Sequence, residues 1–182
     1  SFVDALSESD AHVHVLKLPT NLGLSAALNT AIEYSRFEVL CRMDADDICE
    51  VDRFKFQWGK FHGEQYDLLG SAISEFEQNP QEILTVRTYP QSISDIKRYV
   101  KYRNPFAHPS VMFRKEIYLR AGRYHVEDKY FEDWGLWLRM LQISENIGNL
   151  EQPLVKMRAN IAQTQRRRGV TYMYHEWRFF LK

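Results

Sequence analysis

Phe37-Glu38-Val39-Leu40-Cys41-Arg42-Met43-Asp44-Ala45-Asp46-Asp47 decides how the rest of the chain is read. The segment Phe37 to Met43 is short and mostly apolar, the pattern of a buried strand. Asp44, Asp46 and Asp47 follow at once, so three carboxylates gather at a strand's carboxyl end. Such charges repel one another and need either full solvation or a compensating cation. A solvated loop that caps the next helix is the plain reading. A divalent cation is the chemical one, because hard carboxylate oxygens suit Mg²⁺ or Mn²⁺, which complete their shells with water and substrate phosphates. An EF-hand is excluded, since the central Gly and distal Glu of that loop are missing.

Upstream, His12 to Leu18 alternates polar and apolar residues and predicts a short strand ending at Pro19 and Asn21. Leu24, Leu28, Ala31 and Ile32 recur at helical spacing, with Ser25 as the expected cap. Downstream, Phe54, Trp58 and Phe61 predict an amphipathic helix closed by Gly63. Tyr66–Phe76 and Ile83–Tyr89 read as strands around the turn at Asn79-Pro80, Ser92–Tyr102 as a helix, and His108–Arg114 as a strand. Trp134, Trp137, Leu138 and Leu141 share one face of a helix over Phe131 to Ser144, with Glu132 and Asp133 in its first turn. Residues 163–182 read as a C-terminal amphipathic helix, entered through Arg166, Arg167 and Arg168. Alternating strands and helices predict an α/β domain with a mainly parallel sheet, whose ligands collect at the strands' carboxyl ends.

Composition narrows the function. Lys plus Arg and Asp plus Glu both number 24, so no global field draws the chain onto nucleic acid, and any anion site must be local. Cys41 and Cys49 form neither a disulfide framework nor a zinc spacing, which favours a reducing, cytoplasmic setting. No apolar run reaches bilayer length.

Four segments, in order, resemble the family 2 glycosyltransferases with the GT-A fold. Asn21-Leu22-Gly23-Leu24-Ser25-Ala26-Ala27-Leu28-Asn29 is similar to the segment before the family's metal motif, and Arg42-Met43-Asp44-Ala45-Asp46-Asp47 to the Asp-x-Asp motif itself, followed by Asp52-Arg53 and Gln57. Asn104-Pro105-Phe106-Ala107-His108-Pro109-Ser110-Val111-Met112-Phe113-Arg114 is similar to a segment of bacterial members that build surface polysaccharides. Glu132-Asp133-Trp134-Gly135-Leu136-Trp137-Leu138-Arg139 resembles the family's Glu-Asp motif. Asp-x-Asp alone is a weak signal; three motifs in register are strong together.

The resemblance implies an inverting, metal-dependent transfer of a sugar from a nucleotide-diphosphate donor, by family default a UDP-sugar, to a hydroxyl of a saccharide or lipid-linked saccharide. It implies Asp46 as ligand to Mn²⁺ or Mg²⁺, with Asp44 at the nucleotide ribose or assisting at the metal. It makes Asp133 the catalytic base, with Glu132 beside it on the acceptor side. His108 is placed near the donor diphosphate or acceptor, against the alternative of a packed or capping residue. The Arg166–Arg168 run is either a solvated helix entrance or a contact for a lipid diphosphate, at the inner face of the membrane.

Nothing before His12 resembles the family's opening strand, helix and strand. A single, partial, N-terminally truncated GT-A domain is therefore expected over residues 1–182, with weak or absent turnover alone. Exposed sheet edges would favour a homodimer. Two other readings compete: a non-catalytic binding or assembly module derived from such an enzyme, and a nucleotidyltransferase, which wants a Gly-rich phosphate loop where only Gly23 stands.

Overall fold

The computed structural model describes residues 2–159 and 169–181. Helices α1 (Phe2–Ser9) and α2 (Leu24–Tyr34) precede strands β1 (Val39–Cys41) and β2 (Ile48–Cys49). Helix α3 (Arg53–Gly63) leads into β3 (Leu68–Phe76), β4 (Thr85–Arg87) and α4 (Ile93–Tyr99). A 3₁₀ turn at His108–Ser110 feeds β5 (Met112–Arg114) and α5 (Lys115–Arg120), and α6 (Glu132–Ile143), β6 (Ile147–Arg158) and α7 (Val170–Phe180) complete the order. No helix among the described residues is long and apolar enough to cross a membrane.

The six strands form one sheet in the order β1-β5-β3-β6-β2, with β4 alongside the far half of β3. The class is α/β as expected, but the sheet is mixed: only β3 and β6 pair in parallel, and the other neighbours are antiparallel. Parallel pairing needs a long crossover, which the chain supplies through α4, α5 and α6 between β3 and β6. β1, β3 and β6 nonetheless run the same way, because β5 lies antiparallel to both β1 and β3. Their carboxyl ends therefore share one edge, and the acidic turn after β1 stands there.

β3 is buried along its whole length, as a central strand covered on both faces must be. On one face Leu68, Phe106 and Phe113 share a core with α6, which buries Trp134, Trp137 and Leu141 of the predicted stripe and also Leu136 and Met140, while Leu138 is only partly buried. Gly70 is required here, since an added Cβ would overlap Asn149 Oδ1 and lie 2.8 Å from the Phe106 ring. The Asn149 amide in turn donates to the carbonyls of Pro90 (2.8 Å) and Pro105 (3.1 Å), fixing the start of the segment that carries His108.

Several local expectations give way. Residues 13–18 run without strand pairing, because among the described residues no neighbouring strand takes up their backbone groups. Gly23, at φ +84°, caps α2 in place of Ser25, which is the buried second residue of the helix and directs its hydroxyl to the His125 carbonyl (3.4 Å). His108 opens a 3₁₀ turn and not a strand. β1 is an edge strand with a half-open face, not a buried one. Of the expected C-terminal helix, Val170–Phe180 is helical, while residues 163–168, with the Arg166–Arg168 run, lie outside the described residues.

Candidate active site

The acidic turn is held from below by a side of α3 that looks polar in sequence. Arg53 and Gln57 are fully buried, whereas Phe54 and Trp58 are 54% and 48% exposed. Arg53 donates to the Arg42 carbonyl (3.0 Å), to Gln57 Oε1 (3.1 Å) and to Met43 Sδ (3.3 Å). Gln57 donates to the carbonyls of Leu69 and Ser110, both at 2.7 Å. One buried Arg–Gln pair thus fixes the approach to Asp44 relative to the central strand and to the His108 turn, with each buried polar group satisfied.

In the turn itself, ligand oxygens of Asp44, Asp46 and Asp47 all lie within 4.8 Å of one another. Arg42, buried at 9% exposure, donates both terminal nitrogens to the two oxygens of Asp44. Asp46 is exposed. Asp47 is half-buried; its Oδ1 accepts the Arg158 amide at 2.9 Å, while its Oδ2 is buried with no hydrogen-bond partner among the described residues. Burial, together with Asp44 and Asp46, pushes the Asp47 carboxyl up to about 6. Three carboxylates this close, one of them carrying an orphaned buried oxygen, fit Mg²⁺ or Mn²⁺. Asp46 and Asp47 have the freer oxygens, and Asp44 is largely neutralised by Arg42.

The second acidic pair opens α6. Asp133 Oδ2 accepts the Asn104 side-chain amide at 2.6 Å and Oδ1 accepts the Trp134 amide at 2.8 Å, while Asn104 Oδ1 accepts the Phe106 amide at 3.2 Å. The Trp134 indole donates to the Val100 carbonyl at 2.8 Å, so the helix start is anchored to α4. Tyr130, at φ +72°, stands two residues before Glu132 in the left-handed region that non-glycine residues seldom adopt.

His108 and Tyr124 form a further polar pair, their rings 5.5 Å apart between centres. Their side chains are hydrogen-bonded, His108 Nε2 to the Tyr124 hydroxyl, at 2.9 Å. Burial, and the field of Asp133 and then Glu132 against the opposing pull of Arg42, holds Tyr124 protonated. Burial, reinforced by Arg42, pushes His108 well below the ordinary histidine range, so its ring is neutral near pH 7. Asp44 pairs with Arg42, whose charge acts on His108 and Tyr124, and Tyr124 in turn feels Asp133 and Glu132; Asp46 has its link to this group through the acidic turn. Sequence reading missed Tyr124 as a member. Its signal is indirect: Asn29, in the first resembling segment, donates to the Tyr124 carbonyl at 2.9 Å and accepts its amide at 3.2 Å.

A neutral His108 makes a checkable prediction. Its pKa is depressed by folding, so the stability it contributes is full above about 6.5 and is lost as pH falls and the unfolded chain takes up the proton. Between pH 7.5 and 5.5 the wild type should lose on the order of 1 kcal/mol more than a His108→Gln variant, by urea unfolding at each pH. Parallel losses in the two proteins would show that His108 titrates freely in the folded state.

Comparison with known proteins bears on this arrangement. The profile described as Glycosyl transferase family 2 matches residues 1–122, which include Asp44, Asp46 and His108 but stop short of Glu132 and Asp133. The amylovoran biosynthesis glycosyltransferase AmsE of Erwinia amylovora is 38% identical over 164 residues, 89% of this chain and 60% of that protein. The Escherichia coli UDP-Gal:alpha-D-GlcNAc-diphosphoundecaprenol beta-1,3-galactosyltransferase is 37% identical over 161 residues, 87% of this chain and 58% of that protein. This chain thus spans about three fifths of the length of these curated relatives. Among solved structures, S. aureus TarS 1–349 in complex with UDP-GlcNAc superposes with a TM-score of 0.70 over 96% of this chain and 52% of that one, at 11% identity, a likeness of fold alone. The GT-A arrangement expected from the sequence is the fold observed.

Proposed function

Because the chain belongs to glycosyl transferase family 2, we propose that its protein moves a sugar from a nucleotide-diphosphate donor to an acceptor hydroxyl in bacterial polysaccharide synthesis, with inversion at the anomeric carbon. A UDP-sugar donor and a lipid-linked saccharide acceptor are supported by the name of the Escherichia coli relative, and the donor also by the UDP-GlcNAc held by TarS. The observation that supports the reading is that Arg42, paired with Asp44 of the acidic turn, and the Glu132–Asp133 pair both act on Tyr124, which is hydrogen-bonded to His108.

In this reading Asp46 and Asp47 would hold Mn²⁺ or Mg²⁺ through their freer oxygens. Asp44, clamped by Arg42, faces the nucleotide ribose. The bound cation supplies charge compensation for the leaving diphosphate, an effect worth several kcal/mol in the transition state. Asp133 takes the acceptor's proton as its oxygen attacks the anomeric carbon, and the Asn104 amide keeps the carboxylate aimed. Glu132 lies on the acceptor side. A neutral His108 acts by hydrogen bonding near the diphosphate and not as a cation.

The competing readings differ in one measurement. Titration of UDP with and without Mn²⁺, by calorimetry, should give binding that depends on the metal. Equal affinity in both series would favour a binding or assembly module whose acidic turn is an ordinary solvated loop. A nucleotidyltransferase loses support from the chain itself, which lacks a Gly-rich phosphate loop.

A further inference from the structure

We infer that Arg158, the last residue of β6, is a positioning residue that sets the geometry of the acidic turn; the inference rests on the metal site proposed above. The turn carries three carboxylates within 4.8 Å, and their mutual repulsion tends to splay it. Little within the turn opposes this, for its internal backbone contact is a long one, Asp47 amide to Asp44 carbonyl at 3.4 Å. Arg42 neutralises Asp44 but leaves Asp46 and Asp47 to be held from elsewhere.

Arg158 does this from across the sheet edge. Its backbone amide donates to Asp47 Oδ1 at 2.9 Å, and its Nε donates to the Asp46 carbonyl at 3.3 Å. Its Nη1 donates to the Glu77 carbonyl at 3.0 Å, and its guanidinium lies 4.6 Å from the centre of the Phe76 ring. Phe76 is fully buried and pairs with Arg158 on the last rung of the β3–β6 ladder, and the Ala159 amide closes that rung on the Phe76 carbonyl at 2.7 Å. The guanidinium is thus a strut: one side rests on the longest ladder of the sheet, the other on the backbone between two metal-site carboxylates. A planar fork with fixed donor directions suits this task; a lysine ammonium, a single point of charge, does not.

Outer partners of metal-site residues typically change metal affinity tenfold or more when removed. Mn²⁺ binding, read from the free-ion EPR signal, should therefore weaken about tenfold in Arg158→Ala, with the melting temperature little changed. Arg158→Lys, which keeps the charge without the fork, should retain most of that loss, and it decides the matter if the alanine variant fails to fold. Wild-type Mn²⁺ affinity in the variant that folds would overturn the inference and leave the metal site standing. No Mn²⁺ binding by the wild type would remove the metal reading and this inference together.

Discussion

Replacing Asp133 with Asn is expected to lower kcat for sugar transfer by about 10²- to 10⁴-fold in the full-length gene product, the usual worth of a positioned general base. Donor affinity should stay within a few-fold of wild type, because Asp133 is held by Asn104 and the Trp134 amide, whereas the acidic turn is held by Arg42 and Arg158. The substitution is nearly isosteric but not silent. An amide at position 133 that still accepts the Trp134 N–H would point its own N–H₂ group at the Asn104 amide, while Asn104 Oδ1 is already committed to the Phe106 amide. One hydrogen bond is thereby lost, a typical cost of about 1 kcal/mol in stability. A kcat within tenfold of wild type would remove Asp133 from the chemistry and leave Glu132 as the base to test.

Asp46→Ala should abolish the metal-dependent part of UDP binding. Asp46 is the exposed member of the triad, and no other described side chain holds it by a direct contact, so its removal subtracts a ligand without breaking a structural ion pair. In a series with Mn²⁺, UDP affinity should fall by at least tenfold, to the level that the wild type shows without metal, since bridging to phosphate needs a protein carboxylate on the cation. Thermal stability should hold or rise, because one of three mutually repelling charges has gone. Metal-dependent binding that survives at full strength would reassign the site to Asp44 and Asp47.

Much of the site was legible because charge at an element's end is a strong sequence signal. Three Asp residues after an apolar run, and a Glu-Asp pair ahead of a Trp-rich helical stripe, fall where a strand ends and a helix begins. The α3 helix shows what patterning cannot carry: apolar spacing assigned Phe54 and Trp58 to the buried face, yet the buried face is Arg53, Gln57 and Phe61. A buried polar pair defeats binary patterning because its burial follows from specific partners, here carbonyls more than ten residues away.

Long-range register was equally hidden. The alternation at His12 to Leu18 is a strand pattern, but a strand forms only beside another, and residues 13–18 have none among the described residues. Arg158 gave no signal because its role depends on Phe76 and Asp46, which meet it only once β6 lies along β3. Mixed pairing was likewise beyond reach of a local reading. Strand segments announce themselves locally, whereas the insertion of β5 between β1 and β3 is decided by the whole sheet.

The proposed transfer requires a cation on the acidic turn and the carboxylate of Asp133 to share one cleft, which paramagnetic broadening can decide. Substoichiometric Mn²⁺ added to ¹⁵N-labelled protein should broaden the side-chain amide of Asn104 and the ring nitrogens of His108 along with the backbone signals of the acidic turn, and Asp46→Ala should abolish all of these effects. Broadening confined to the turn, with the Asn104 and His108 signals untouched, would place the two acidic groups in separate sites and contradict the transferase reading.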